Sequence, residues 1–182
     1  MKRCFDIIFS MIALLVFGIP IIIISILLSS FEKHPVVFKQ KRIGLDKKPF
    51  VIFKFQTMVN EVPTTIGRIL RKTGLDEILQ FVNVLKGDMS IVGPRALTKF
   101  DINRLQWNSE LYSLRWKVKP GITGFAQIYG GQNKDVSWYW DKRYLDSSNI
   151  FMDFVIIIVS FIMNFLGKRR VRNIIWFNRG LR

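Results

Sequence analysis

Residues 5–31 read FDIIFSMIALLVFGIPIIIISILLSSF, and the reading of this stretch decides the fold. It is apolar over a membrane-grade length, interrupted only by Asp6, by Gly18 and Pro20 in the middle, and by Ser10, Ser25, Ser29 and Ser30. Pro20 has no backbone N–H and its ring clashes with the preceding turn, so a sharp bend is expected there, eased by Gly18. Neither half is then long enough to span a bilayer. Basic residues stand on both sides, Lys2 and Arg3 before and Lys33, Lys39, Lys41 and Arg42 after, whereas a spanning helix usually carries a one-sided bias. This symmetry favours a hairpin that enters and leaves on the cytoplasmic face over a straight span or signal anchor. A cleaved signal peptide fits less well, because the apolar region is too long and no small-x-small site precedes Glu32.

A second apolar run covers Ile150 to Leu166, in which Asp153, Ser160 and Asn164 recur at spacings of seven and four and so share one helical face. The pattern reads as an interfacial helix with a narrow polar stripe. Beyond it Lys168, Arg169, Arg170, Arg172, Arg179 and Arg182 occur with no acid, a composition suited to anionic membrane lipid. The adjacent apolar helix makes a nucleic-acid-binding tail the poorer reading, and no nucleic acid is expected as a partner.

The composition supports this division. The 182 residues are one functional unit's worth of chain. Twenty-eight Lys and Arg against 13 Asp and Glu give a net charge of +15, which points to polyanionic partners. Cys4 and His34 are the only residues of their types, so most zinc sites, thiol enzymes and Ser/His triads are excluded by counting. Catalysis, if present, rests on carboxylates, cations and a bound metal.

Between the apolar ends, strand-like runs at Val36 to Lys39 and Phe50 to Phe55 flank a turn at Lys47, Lys48 and Pro49, and helical patterns begin at Thr65. The most informative helix is predicted from Leu75 to about Lys86, stopped by Gly87. Leu75, Ile78, Leu79, Val82 and Leu85 form its expected buried face, with Asp76, Gln80 and Asn83 on the other. Asp76 and Glu77 are the only adjacent carboxylates in the chain. In a first helical turn they could simply complement the macrodipole. Their company argues for more: Arg68, Arg71 and Lys72 lie upstream, and Lys86-Gly87-Asp88-Met89-Ser90-Ile91-Val92-Gly93-Pro94-Arg95 follows. A Gly93-Pro94-Arg95 corner with exposed N–H groups and a guanidinium would cradle phosphate. Asp76, Glu77 and Asp88 offer oxygens hard enough for Mg²⁺. Cations facing carboxylates suit phosphoryl transfer.

Leu75-Asp76-Glu77, Asn83-Val84-Leu85-Lys86-Gly87-Asp88-Met89-Ser90 and Val92-Gly93-Pro94-Arg95 resemble the core of the monotopic phosphoglycosyl transferases, bacterial enzymes that initiate polyprenyl-linked glycans. Phe38-Lys39-Gln40-Lys41-Arg42-Ile43-Gly44, Phe53-Lys54-Phe55, Val118-Lys119-Pro120-Gly121-Ile122-Thr123-Gly124 with Ala126-Gln127, and Trp138, Asp141 and Tyr144 extend the resemblance to about Asp153. It implies an α+β, mostly helical fold: a re-entrant membrane helix-break-helix over residues 1–32, a small membrane-surface catalytic domain with amphipathic helices and a few short strands over 33–149, and an interfacial amphipathic helix with a basic tail over 150–182. It also implies the bacterial inner membrane, a monotopic placement with the catalytic domain on the cytoplasmic face, and room for a homodimer.

The implied reaction moves a sugar-1-phosphate from a UDP-sugar to polyprenyl (undecaprenyl) phosphate and releases UMP, with Mg²⁺ as cofactor and a covalent sugar-phosphate on Asp76. It would be the first membrane step of a surface glycan such as a capsule or lipopolysaccharide. Glu77 would help hold Mg²⁺ beside Asp76 or manage the acceptor's proton, and Arg71 and Arg95 would clamp phosphate, keeping Asp76 ionised. Lys41, Arg42 and Lys54 would serve the nucleotide or the site's electrostatics, or form a solvated basic strand face. The family pattern is altered at Ile19, Gln56, Gly74, Leu79 and Ala96, while Asp76, Glu77, Arg71 and Arg95 are all present. The segments from Met58 to Thr64 and from Gln132 to Tyr139 are short for the family, and sugar selectivity is expected there. The competing readings are a non-catalytic basic membrane-bound protein, with Asp76 and Glu77 as helix-start acids, and a two-pass membrane interaction protein.

Overall fold

Pro20 breaks the first apolar stretch as its chemistry requires. In the computed structural model, which describes residues 1–32, 34–130 and 133–166, helix α1 (Lys2–Val16) is followed by α2 (Gly18–Phe31) at a bend of 57°. A proline ring collides with the carbonyl four residues back, here Val16, the last residue of α1. Hydrogen bonds from Phe17 N–H to Ala13 O and from Ile21 N–H to Phe17 O, both 2.8 Å, carry the chain through the break. Among the described residues no single helix is long and apolar enough to cross a membrane. Lys33, Gln132 and the basic tail from Lys168 to Arg182 lie outside the described residues.

Strand β1 (Val37–Ile43) pairs antiparallel with β2 (Pro49–Phe55), Val37 opposite Phe55 and Ile43 opposite Pro49. It outruns the apolar pattern, which stops at Lys39, because ladder pairing carries Gln40, Lys41 and Arg42 as well. A small hairpin of β3 (Met58–Val59) and β4 (Val62–Pro63) leads into α3 (Thr65–Thr73). Thr64 caps that helix, its Oγ1 accepting the Gly67 N–H at 2.9 Å. Then come α4 (Gln80–Lys86), β5 (Ser90–Val92), α5 (Lys99–Arg104), β6 (Gly121–Thr123), α6 (Lys134–Ser147) and α7 (Ile150–Leu166). Strands β5 and β6 pair in parallel, Ser90 opposite Gly121. Helices dominate and the strands are few and short, as the α+β expectation requires.

The main core gathers Val84, Met89, Ile91, Val92, Ile128, Tyr144 and Ile156, from α4, β5, the turn after β6, α6 and α7. The two apolar helices at the chain's ends pack on it with their polar residues inward. On α1, Asp6, Ser10 and Ala13 are buried while Ile8, Met11, Ile12, Leu15 and Val16 are exposed. Asp6 Oδ1 accepts from Ser90 Oγ and from the Ile91 N–H, both at 3.0 Å. On α7, Asp153 is 1% exposed and Phe151 77%.

The polar stripe of α7 thus faces protein. Asp153 accepts from Lys2 Nζ at 2.5 Å, and the Tyr144 hydroxyl lies 2.9 Å from its other oxygen. Ser160 hydrogen-bonds Thr123, and Asn164 packs on Gly74. A buried carboxylate needs donors, and the protein supplies them here.

Candidate active site

The segment carrying the adjacent carboxylates is not one continuous helix. Helix α3 ends at Gly74, whose φ of +75° suits glycine, and a single 3₁₀ turn, Leu75–Glu77, precedes α4. The break places Asp76 at 8% exposure. Of the expected buried face, Ile78 is buried and Leu75, Leu79 and Leu85 are half-buried, but Val82 is exposed, and Gln80 and Asn83, predicted on the opposite face, are 2% and 0% exposed. Asn83 is buried because it is used. It accepts the Phe53 N–H at 3.0 Å and donates to Val51 O at 2.6 Å, bracing β2 against α4.

Through that brace β2 presents Lys54 to the dyad, and the Lys54 ammonium donates to Glu77 Oε1. Burial alone would raise the Glu77 pKa, but Lys54, helped by Arg95, overrides it and holds the group below the ordinary value. Asp76 goes the other way. Burial, and then the charge of Glu77, raise it from 3.8 to about 6 against the pull of Lys54 and Arg71. The flanking cations therefore do not win at Asp76 as expected, although the group is still mostly ionised at pH 7. Adjacent carboxylates driven apart in this way are suited to different tasks: one held as a fixed anion, the other in no ion pair among the described residues.

Cations ring this pair. Arg42 lies on the same face of the β1–β2 ribbon as Lys54, two positions along from Gln40 on β1. Its guanidinium donates to Ala96 O at 3.0 Å and stands 3.5 Å from Asp101. Burial, then the charge of Arg95, lower its pKa, with Asp101 and Glu77 opposing. Arg71 and Arg95 are both exposed, and Arg71 Nη1 lies 3.2 Å from Met58 Sδ. Lys41 alternates onto the opposite ribbon face and is exposed there, which leaves it with the solvated-strand reading.

Two expected contributors stand elsewhere. Asp88 lies beyond the far end of α4, 4.0 Å from Lys86 Nζ, so the seven-residue helix separates it from the dyad. Gly93 and Pro94 are buried, and the corner does not open its N–H groups to a ligand. Gly93 N–H donates to Thr123 O at 2.9 Å, and Gly121 N–H to Pro94 O at 2.9 Å. A Cβ at Gly93 would stand 2.5 Å from Lys119 O, so glycine is needed for two backbones to cross. Only the Arg95 side chain reaches out.

What holds Arg95 was not singled out from the sequence. Arg115 and Asp141, both buried, form an ion pair at 2.8 Å, and the second arm of Arg115 donates to Arg95 O. The guanidinium carbon lies 5.0 Å from the ring centres of both Trp107 and Trp116. Asp141 was visible as part of a motif, but its partner is 26 residues away and carries no local signal.

A profile of the bacterial sugar transferase family matches residues 1–167 of this chain. The chain is 36% identical over 188 aligned positions to the UDP-glucose:undecaprenyl-phosphate glucose-1-phosphate transferase of Klebsiella pneumoniae, covering 92% of this chain and 40% of that protein. It is 42% identical over 142 positions to an uncharacterized sugar transferase of Bacillus subtilis, covering 69% and 68%. With the UDP-N-acetylgalactosamine-undecaprenyl-phosphate N-acetylgalactosaminephosphotransferase of Aeromonas hydrophila it shares 30% over 175 positions, covering 86% and 41%. The chain thus spans about two-fifths of the length of several curated relatives it matches.

Proposed function

This chain belongs to the bacterial sugar transferase family, and we propose that it transfers a sugar-1-phosphate from a UDP-sugar to polyprenyl phosphate through a covalent intermediate on Asp76. The observation that carries the reading is the split dyad: Asp76 is buried and in no ion pair among the described residues, while Glu77 is fixed by Lys54. An Asp76 carboxylate oxygen attacks the sugar-bearing phosphorus. The bond from that phosphorus to the bridging oxygen breaks, and UMP leaves with the electron pair. A phosphate oxygen of the acceptor then attacks the same phosphorus and returns Asp76 as a free carboxylate. Arg71 and Arg95 would take the phosphoryl oxygens, and Arg42 and Lys54 would add positive potential on the Glu77 side.

The donor set fits Mg²⁺. Among the described residues no third Asp, Glu, His or Cys joins Asp76 and Glu77, and Mg²⁺ is commonly held by one or two carboxylates with phosphate oxygens and water completing its shell. Such an ion neutralises charge on the diphosphate as it is cleaved.

The inward polar residues of α1 and α7 support a membrane placement. Leu15, Ile19, Ile22, Ile23 and Ile26 are exposed on the hairpin, and leaving five such side chains in water would cost on the order of 10 kcal/mol, comparable to a domain's whole stability. A hairpin dipping into one leaflet from the cytoplasmic face removes that cost. It also brings the carboxylates towards the plane of a lipid-linked acceptor's phosphate.

The test is UMP release by purified protein in nanodiscs with Mg²⁺, undecaprenyl phosphate and a panel of UDP-sugars. Asp76→Asn and a chelator should each abolish release, and mass spectrometry of protein given donor alone should find a sugar-phosphate adduct on Asp76. Undiminished turnover by Asp76→Asn would sink the covalent route, and silence across a broad panel from folded wild-type protein would sink the transferase reading.

A further inference from the structure

At the end of α4 opposite the dyad, two cations from different parts of the chain converge on one point. Arg3 of α1 donates through Nη1 to Val84 O at 2.6 Å and through Nη2 to Leu85 O at 2.9 Å. Gly87, with φ of +89°, ends the helix there. A Cβ built on Gly87 would lie 3.5 Å from Arg3 Nη2 and 3.6 Å from Lys119 Nζ. Both side chains are half-buried, and neither is in an ion pair among the described residues. The nearby acid, Asp88, is 4.0 Å from Lys86 and 3.4 Å from Asn83, while neighbouring Lys2 is occupied by Asp153.

The carbonyls at the helix end account for Arg3, which they bind directly. They do not account for Lys119, whose ammonium makes no hydrogen bond among the described residues. Like charges converging on one point, partly out of water, repel each other unless an anion sits between them. The height of the pair matters too. Arg3 precedes Ile8, an exposed apolar residue of α1, by five residues, roughly 7 Å along the helix. That is headgroup depth for a helix whose apolar tip is in the acyl region.

We propose that Arg3 and Lys119 form a seat for the phosphate of an anionic membrane lipid, at the junction of α1, the end of α4 and the Val118–Pro120 segment. The proposal rests on the membrane placement argued above and gives it a specific contact. The Lys119 carbonyl also presses on Gly93 at the backbone crossing that leads to Arg95. A headgroup held here therefore fixes the orientation of the catalytic face to the bilayer.

The test is flotation of the full chain with vesicles of phosphatidylcholine alone and of phosphatidylcholine with phosphatidylglycerol, with native mass spectrometry of the retained lipid. One basic residue near a diffuse anionic surface contributes about 1 kcal/mol, roughly fivefold. Lys119→Gln, which loses no partner among the described residues, should reduce the gain from phosphatidylglycerol by more than that, about tenfold, and Arg3→Gln should do the same. Lys72→Gln, an exposed cation on α3 beside exposed Ile69, should stay within fivefold. Equal losses for Lys119→Gln and Lys72→Gln would reduce the effect to general attraction by a +15 chain and overturn the site. Displacement of the phosphatidylglycerol gain by inorganic phosphate, at constant ionic strength, would overturn the lipid as occupant in favour of a free-phosphate site. Binding to phosphatidylcholine with no added gain from phosphatidylglycerol would overturn this inference alone. No flotation on either vesicle would overturn the membrane placement with it.

Discussion

Helices α6 and α7 are separated by two residues and differ in what they expose. Helix α6 buries Trp140 and Tyr144 and exposes Lys142, Arg143 and Asp146. Helix α7 buries Asp153 and exposes Phe151, Phe154 and Phe161. Each also buries one aspartate with a basic partner, Asp141 with Arg115 and Asp153 with Lys2. Burial of a carboxylate is therefore compatible with either kind of helix. The outer faces differ, charged on α6 and apolar on α7, and the proposed membrane placement puts water beyond the first and lipid beyond the second.

The largest expected effect is at the inner face of α6. Asp141→Ala leaves Arg115 buried and uncompensated, which should cost about 3–5 kcal/mol and loosen Arg95; chemical denaturation in detergent measures it. Asp76, buried and in no ion pair among the described residues, should behave in the opposite sense. Its pKa is raised from 3.8 to about 6, so the folded state binds a proton more tightly than the unfolded chain does, and stability is lost as pH rises from about 4 to 6. Asp76→Asn removes that penalty. It should stabilise the protein at pH 7.5 by roughly 3 kcal/mol, with the gain vanishing below about pH 4, while ending turnover. Destabilisation at pH 7.5 would show that Asp76 is held by favourable contacts.

On α7, Asp153→Ala should cost less, about 2 kcal/mol, because Lys2 is 40% exposed and regains water. Smallest on folding are the outer faces. Lys142→Ala and Phe161→Ser should each change stability in detergent by no more than about 0.5 kcal/mol. Vesicle flotation should separate them: Phe161→Ser weakens partition by about 2 kcal/mol and Lys142→Ala leaves it unchanged. Equal behaviour of these two variants on vesicles would remove the contrast between the helices.

Pro20 and Gly87 were legible because their backbone chemistry is local: a missing donor bends a helix wherever it lies, and a left-handed stop favours glycine. The adjacent pair Asp76 and Glu77, and the basic strand beside it, were legible as a composition. Periodicity also showed that Asp153, Ser160 and Asn164 share a face. It did not show which medium that face meets; the fold decides this, because Lys2 and Tyr144 meet Asp153 inside the protein. The same gap misplaced Asn83. Its amide reads as surface until β2 is laid beside it, when it becomes the buried link between two elements.

By itself, then, the sequence determined where the chain bends and stops, which residue types are available for chemistry, and that both ends are too apolar for an ordinary water-facing surface. Tertiary structure alone decided that Lys54 is spent on Glu77 and not on Asp76, that Arg115 and Asp141 secure Arg95, and that Gly93 serves a backbone crossing and not a ligand. The reason is the range of the forces concerned. Backbone sterics act within a few residues and leave a mark in the local sequence. Burial and charge pairing act between groups 23 or 26 residues apart that only the completed fold brings together.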